Sequence, residues 1–145
     1  MTISFDLDDT IIPGTKRFET ERQTIIHKIF RTERIRLGTV TLFRELRNRG
    51  YKIYIYTTSF RPVTKIKLMF YLYGIPIDMA INQETHNNQF RKSKVRTSKF
   101  PPAFNIDIHV DDSPGLKIEG DNYNFRTIII DETDRNWAQT ILEKL

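Results

Sequence analysis

Five short apolar runs, rich in β-branched and aromatic residues, alternate with segments of helical periodicity, and this alternation restricts the fold more than any other feature. The runs are TISFDL (2–7), YKIYIYT (51–57), IDMAIN (77–82), NIDIHVDD (105–112) and FRTIIID (125–131). Strands that are connected through helices pair in parallel. The sequence therefore predicts an α/β fold, a doubly wound Rossmann-like parallel sheet of about five strands with helices on both faces.

The segments between these runs have the spacing of amphipathic helices. Residues 39–49, TVTLFRELRNR, place four apolar side chains on one face, and residues 62–74, PVTKIKLMFYLYG, begin with proline and end with glycine. A short helix is expected around residues 25–30, and a last helix is expected to direct Trp137, Ile141 and Leu142 inward. Residues 83–102 are predicted to form a long polar loop with weak helical content.

Length and composition restrict the class of protein. With 145 residues and no cysteine, residues 1–145 are expected to form a single domain without disulfides or thiolate metal sites. The apolar runs are shorter than the about 20 residues of a membrane helix, and the first residues lack a signal-peptide pattern. We therefore expect no membrane partner and a cytoplasmic location. The net charge of +5 favours phosphorylated or polyanionic partners.

Three of the predicted strands end in polar residues. They end in Asp6, Asp8 and Asp9, in Thr57, Thr58 and Ser59, and in Asp111, Asp112 and Ser113. Because parallel strands bring their carboxyl ends to one edge of the sheet, we expect these residues to meet there. Crowded carboxylates repel each other unless a cation lies between them, and a divalent cation is the obvious candidate.

The order of FDLDDT (5–10), IYIYTTS (53–59), a lysine and IHVDDS (108–113) resembles the four motifs of the haloacid dehalogenase-like (HAD) phosphohydrolases. The resemblance extends from Ile3 to the fifth strand. It implies a magnesium-dependent phosphatase that hydrolyses a phosphate monoester through an aspartyl-phosphate intermediate. Many members of the family carry a cap domain, but the intervals between these motifs leave room here for a flap and not for a large cap.

The resemblance also implies a role for each acidic motif residue. Asp6 is expected to be the nucleophile, and Asp8 the general acid and then the general base. The expected Mg²⁺ ligands are Asp6, the main-chain carbonyl of Asp8, and Asp112, with Asp111 in support. Asp9 is expected to interact only locally.

The resemblance further implies a phosphate-binding threonine and a lysine that neutralises the nucleophile and the phosphate. Thr57 and Thr58 are the expected phosphate-binding residues, and the hydroxyls of Thr57, Thr58 and Ser59 could cap the following helix instead or as well. Lys99, directly before the fourth strand, matches the expected catalytic and phosphate-binding lysine best. Lys94 and Lys92 are the alternatives.

The sequence leaves several alternatives open about function. The acidic site could belong to a catalytically weak module that binds phosphate or nucleic acid, and the basic residues 92–99, KSKVRTSK, fit nucleic-acid binding as well as a solvated face. Transfer to an acceptor other than water is compatible with the same motifs. A site without a large cap suits a phosphorylated macromolecule or a site covered by another subunit. The three histidines are expected to be structural.

Overall fold

A single parallel sheet with the strand order β3-β2-β1-β4-β5 organises the chain. This computed structural model describes residues 1–94 and 96–145. The strands are β1 (Thr2–Phe5), β2 (Lys52–Tyr56), β3 (Met79–Ile81), β4 (Ile108–Asp111) and β5 (Arg126–Ile129). All four ladders between neighbouring strands are parallel. The predicted α/β fold with a five-stranded parallel sheet is confirmed.

In the part of the chain that the structure describes, six α-helices and one 3-10 helix connect and follow the strands. The helices are α1 (Ile25–Ile29), α2 (Thr39–Asn48), α3 (Val63–Leu72), α4 (Gln83–Phe90), α5 (Pro114–Tyr123) and α6 (Trp137–Lys144), and the 3-10 helix spans Pro101–Phe104. None of the helices formed by the described residues is long and apolar enough to cross a bilayer.

The prediction of a polar loop over residues 83–102 was wrong for a large part of that stretch, because it contains α4. Helix α4 begins after Asn82, whose side-chain oxygen accepts hydrogen bonds from the N–H and the hydroxyl of Thr85, both at 2.9 Å. The helix packs against the protein through the buried His86 and the ring of Phe90, which lies 5.9 Å from the ring of Phe100. Val95, within the predicted loop, lies outside the described residues.

The two faces of the sheet are covered by different helices. On the face of Phe5, the ring of Phe43 from α2 lies 4.9 Å from Phe5 and 5.6 Å from Phe70 of α3, and α6 joins the same core through Trp137. On the opposite face, α5 approaches so closely that a Cβ at Gly120 would lie 2.7 Å from the carbonyl oxygen of Phe125. The doubly wound arrangement therefore follows from apolar side chains on one face and a close helix on the other.

The carboxyl ends of β1, β2 and β4 meet at one edge of the sheet. Beyond β1, the N–H of Asp6 donates to the carbonyl of Val110 at 2.9 Å, and beyond β2 the N–H of Thr57 donates to Ile81 at 2.9 Å. Residues 13–38, between β1 and α2, form a segment that we call the flap, and it contains α1. The polar strand ends and the flap thus lie on the same side of the sheet.

Candidate functional site

Lys99 lies between two carboxylates at the carboxyl edge of the sheet. Its Nζ is 2.6 Å from Oδ1 of Asp6 and 2.5 Å from Oδ2 of Asp111, and the residue is 4% exposed. The 3-10 helix and β4 follow Lys99 directly, so the short connection fixes its position. Lys92 and Lys94 are exposed. Of the three lysines that the sequence offered, Lys99 is the one that the structure brings to the acidic centre.

Asp111 is held on both of its oxygens. Its Oδ2 contacts Nζ of Lys99 and Nε2 of His109 at 3.2 Å, and its Oδ1 accepts the N–H of Ser113 at 2.8 Å. The other ring nitrogen of His109, Nδ1, is 2.6 Å from the hydroxyl oxygen of Ser4. Since all the contacts of Asp111 are to donors, its role in this arrangement is to orient Lys99.

The protonation states in this chain follow from burial and neighbouring charge. Burial lowers the pKa of His109 to about 4, so the ring is neutral, donates from Nε2 to Asp111 and accepts from Ser4. Burial opposes ionisation of Asp111, but the hydrogen bond from His109 and the charge of Lys99 hold its pKa well below the usual range. Burial lowers the pKa of Lys99, whereas the charges of Asp6 and Asp111 raise it above its ordinary value.

The surroundings of Asp6 disfavour its ionised form. Burial raises the pKa of Asp6 to about 6, although the adjacent charge of Lys99 acts in the opposite direction. At neutral pH the carboxylate is nevertheless ionised, and Lys99 contacts one of its two oxygens. Asp6 can therefore present a desolvated carboxylate oxygen, which is the form a nucleophile requires.

Asp112 is paired with a residue of the flap. Its Oδ2 lies 2.9 Å from Nζ of Lys16, and its Oδ1 accepts the hydroxyl of Thr10 at 3.2 Å. Lys16 also lies 3.5 Å from Glu132, beyond β5. The hydrogen bond to Asp112 and the charges of both carboxylates raise the pKa of Lys16, so a cation flanks Asp112 on the flap side.

Asp8 is bound by Arg61, a residue that the sequence analysis did not single out. The guanidinium donates to both oxygens of Asp8, at 2.9 Å and 2.8 Å, and also to both oxygens of Glu33, at 2.8 Å each. Bidentate pairs between a guanidinium and a carboxylate are among the strongest and most directional ion pairs. Arg61 therefore links the end of β2 to Asp8 and, through Glu33, to the flap.

The hydroxyls after β2 do not cap the next helix. Helix α3 has Pro62 at its N-cap position, with no side-chain hydrogen bond, so the capping alternative for Thr57, Thr58 and Ser59 was wrong. Thr57 is buried and its Oγ1 accepts the N–H of Ser59 at 3.1 Å, whereas Thr58 is exposed. The Thr57 hydroxyl and the backbone after it lie beyond β2, at the same edge of the sheet as Asp6.

Asp9 has a local role. Its side chain accepts the N–H groups of Gly14 and Lys16, at 3.1 Å and 2.8 Å, and its backbone is left-handed, with φ 62°. These bonds shape the turn into the flap, and through that turn they place Lys16 near Asp112.

The donor set fits a divalent cation. Asp6, Asp111 and Asp112 each present a ligand oxygen, and these atoms lie within 4.8 Å of one another. Since Asp111 is occupied by three donors, Asp6 and Asp112 are the better ligands, and one or two carboxylates are typical for Mg²⁺. Charge points the same way: the three carboxylates of this cluster, Asp6, Asp111 and Asp112, are contacted by two lysines, Lys16 and Lys99.

Sequence reasoning missed the partners of the acidic residues. Arg61 could have been found as a basic residue four positions after Thr57, close to the expected edge of the sheet. Lys16 and Glu33 had no such signal, because they come from the flap, whose path the sequence does not define. His109 was expected to be structural, and it lies in the hydrogen-bonded chain that ends at Lys99.

Comparison of the chain with protein-family models and with curated proteins yields no match, so the interpretation of the site rests on its geometry.

Proposed function

We propose that the protein is a magnesium-dependent phosphatase of the HAD type, which hydrolyses a phosphate monoester through an aspartyl-phosphate on Asp6. The observation that carries the proposal is the buried Lys99 in contact with Asp6, with Asp112 beside Asp6 and with Asp8 two residues further along the first motif. This set combines a nucleophile, a fixed positive charge and a carboxylate that can carry a proton, which phosphoryl transfer requires.

In the first step, an oxygen of Asp6 attacks phosphorus while the bond from phosphorus to the ester oxygen breaks. Asp8 donates a proton to the departing oxygen, which leaves as an alcohol. Lys99 and the Thr57 hydroxyl stabilise charge on the nucleophile and on the phosphate oxygens. Mg²⁺, held by Asp6 and Asp112, would reduce the repulsion between the carboxylate and the phosphate.

In the second step, water attacks the phosphorus of the aspartyl-phosphate and transfers a proton to Asp8. The bond between phosphorus and the Asp6 oxygen breaks, inorganic phosphate leaves, and the carboxylate of Asp6 is regenerated. Arg61 occupies both oxygens of Asp8 before substrate arrives. An oxygen that accepts from Arg61 cannot also carry the proton, so the arriving substrate must displace at least one N–H of Arg61 before Asp8 is protonated and contacts the leaving group.

The test is release of phosphate from p-nitrophenyl phosphate with Mg²⁺ and with chelator. Asp6→Asn is expected to lose turnover by about 10³-fold or more, because the amide is a poor nucleophile. Asp9→Asn is the matched control, since an asparagine at this position keeps the acceptor oxygen for Gly14 and Lys16 and tolerates the left-handed backbone.

The outcomes separate the phosphatase from a binding module. Mg²⁺-dependent turnover that is lost in Asp6→Asn and kept in Asp9→Asn supports the phosphatase. Turnover that survives in a folded Asp6→Asn protein rules out Asp6 as the nucleophile. Mg²⁺ binding by calorimetry without turnover on phosphorylated metabolites, peptides or oligonucleotides would favour the binding module.

A further inference from the structure

Helix α1 exposes most of its apolar side chains to solvent. Ile25 is 72% exposed and Ile29 is 69% exposed, and Ile26 and Phe30 are also exposed. The one buried side chain of the helix is His27, which accepts the N–H of Thr24 at Nδ1 and donates from Nε2 to the carbonyl of Leu72. Helix α1 is thus anchored by a polar contact while its aliphatic residues face outward, which is the reverse of ordinary packing.

Helix α3, to which α1 is attached, also exposes apolar residues. Leu68 and Tyr71 are exposed at helical spacing on α3, and α1 is attached to the end of α3 by the ring of His27, which stacks on Tyr73 at 4.2 Å. Phe30 of the flap and Leu68 line one depression. We call this the α1–α3 surface, and its apolar members are Ile25, Ile26, Ile29, Phe30, Leu68 and Tyr71.

The α1–α3 surface adjoins the acidic centre. Arg61 and Glu33 line the same depression as Phe30 and Leu68. Arg61 also binds both oxygens of Asp8, so one side chain lines the depression and contacts the carboxylate that protonates the leaving group in the proposed reaction. A leaving group that extends from the site over Arg61 would lie against this surface.

The charge of the surface indicates what can cover it. Residues 24–34 and 60–71 contain six Lys or Arg residues and a single acidic residue, Glu33, which is paired with Arg61. Five of the cations are exposed, namely Lys28, Arg31, Arg34, Lys65 and Lys67. A second copy of the chain would bring like charges together through this face, whereas an acidic partner would be complementary.

We propose that the α1–α3 surface docks an acidic segment with apolar side chains, belonging to a phosphorylated protein whose phosphate enters the site. The proposal rests on the proposed phosphatase function and specifies its substrate class. The surface is mainly aliphatic. Apolar residues of a peptide can cover isoleucine and leucine side chains and exclude water from them. Bases of a nucleic acid stack on aromatic rings, and aliphatic side chains do not offer such a stacking surface. A protein partner therefore fits better than a nucleic acid.

The experiment measures binding separately from turnover. The probe is a fluorescein-labelled peptide of alternating Glu and Leu residues around one serine, unphosphorylated, with fluorescence anisotropy as the readout. Comparison peptides replace Glu by Lys or Leu by Ser, and further competitors are a single-stranded oligonucleotide and phosphatidylserine vesicles. The surface variants are the double variant Ile25→Ser with Ile29→Ser, and Lys65→Glu. The matched controls are Ile118→Ser and Lys117→Glu, two exposed residues of α5 at the β5 side of the sheet.

The wild type is expected to bind the Glu–Leu peptide at least about tenfold more tightly than either comparison peptide, with affinity that falls as salt rises. Both surface variants are expected to lose about tenfold in affinity, and both α5 controls to stay within about twofold. Equal losses in surface and control variants overturn the proposal. If the protein binds the oligonucleotide or the vesicles more tightly than the peptide, and the same surface variants weaken that binding, the partner is a nucleic acid or a membrane and the proposed protein partner is refuted.

Turnover then tests the link to the active site. With the serine of the peptide phosphorylated, the ratio of kcat/KM for the phosphopeptide to kcat/KM for p-nitrophenyl phosphate is expected to fall about tenfold in the double variant. If the ratio does not change while binding is lost, the surface docks a partner that is not the substrate, and the proposed substrate class is refuted. If no phosphoester is hydrolysed but the peptide binds as expected, the phosphatase fails and the docking surface stands.

Discussion

Replacement of Lys99 by methionine removes a buried charge but keeps a side chain of similar length and volume. Nζ of Lys99 contacts Asp6 at 2.6 Å and Asp111 at 2.5 Å, and all three residues are less than a tenth exposed. Without the lysine, two carboxylates remain buried beside each other. The variant therefore isolates the electrostatic part of the contribution of Lys99, because Met fills most of the same space.

The expected loss is large. Removal of one partner of a buried ion pair costs about 3–5 kcal/mol, because the remaining charge stays desolvated without its counterion. For a chain of this size, 1 kcal/mol corresponds to about 3 °C, so the midpoint of thermal unfolding should fall by about 10–15 °C. The pKa of Asp6, already raised to about 6 by burial, should rise further. A raised carboxyl pKa stabilises the fold at acid pH and loses that stabilisation as pH rises through it, so the deficit should be smaller at pH 5 than at pH 8.

Urea unfolding followed by tryptophan fluorescence measures this loss. The chain has one tryptophan, Trp137, which is 1% exposed and reports on the core. Lys94→Met is the matched control, since Lys94 is exposed, and it should change the free energy of unfolding by less than about 0.5 kcal/mol. Mg²⁺ should restore part of the stability of Lys99→Met, because a cation at Asp6 would replace the missing charge.

Three results would refute this reasoning. A loss below about 1 kcal/mol would mean that Lys99 is not the counterion of Asp6 and Asp111. A loss equal to that of Lys94→Met would point to a general effect of removing a lysine. A deficit that grows towards acid pH would show that the carboxylates were not the groups left uncompensated.

Three further predictions concern the reaction, the buried Tyr56 and a close helix contact. Asp8→Asn should lower kcat by about 10²–10⁴-fold, most strongly for esters with a poor leaving group, and an equal loss for p-nitrophenyl phosphate and alkyl phosphates would contradict its role as the acid. Burial raises the pKa of Tyr56 above its ordinary value of 10.0, so the tyrosine ionises more readily in the unfolded chain and the free energy of unfolding falls as pH rises above 10. In Tyr56→Phe, the free energy of unfolding from urea titrations should fall less between about pH 9 and about pH 11 than in the wild type. Gly120→Ala should lower the free energy of unfolding by about 1–3 kcal/mol, because the added Cβ would crowd the contact between α5 and β5. Gly115→Ala, whose Cβ would meet only Ser113 at 3.6 Å, should be neutral or stabilising, and equal changes of the urea midpoint in the two variants would contradict the close approach of α5.

The strands were predictable because each one carries its own signal. Runs such as residues 51–57 combine β-branched and aromatic residues over the length of a strand. The helices between the runs predicted that the strands pair in parallel. The extent of α4 was underestimated because most of its residues are polar; its strongest sequence signal was Asn82 at the N-cap position. For α1, the spacing of the isoleucines predicted the helix correctly but not that these side chains are exposed.

The acidic residues were predictable for a different reason, because motifs place them at the ends of strands that share an edge. Their counterions were not, since the partners come from distant parts of the chain: 96 residues separate Lys16 from Asp112, and 53 separate Arg61 from Asp8. Such pairs depend on the path of the flap and on the turn after β2. Periodicity within a segment contains no information about either.

Arg61 connects Asp8, the acid and base of the proposed reaction, to the flap. Its guanidinium binds Asp8 and Glu33 at the same time. A leaving group that displaces one Arg61 N–H from Asp8 therefore leaves the guanidinium bound to the flap through Glu33. Tyr73 of α3 donates its hydroxyl to the carbonyl of the same Glu33, which ties this part of the flap to the helix beneath it. Asp8 and the depression beside α1 are therefore connected through Arg61 and Glu33. In the proposed reaction, a substrate that contacts both would have its ester oxygen positioned at Asp8 without a closing lid.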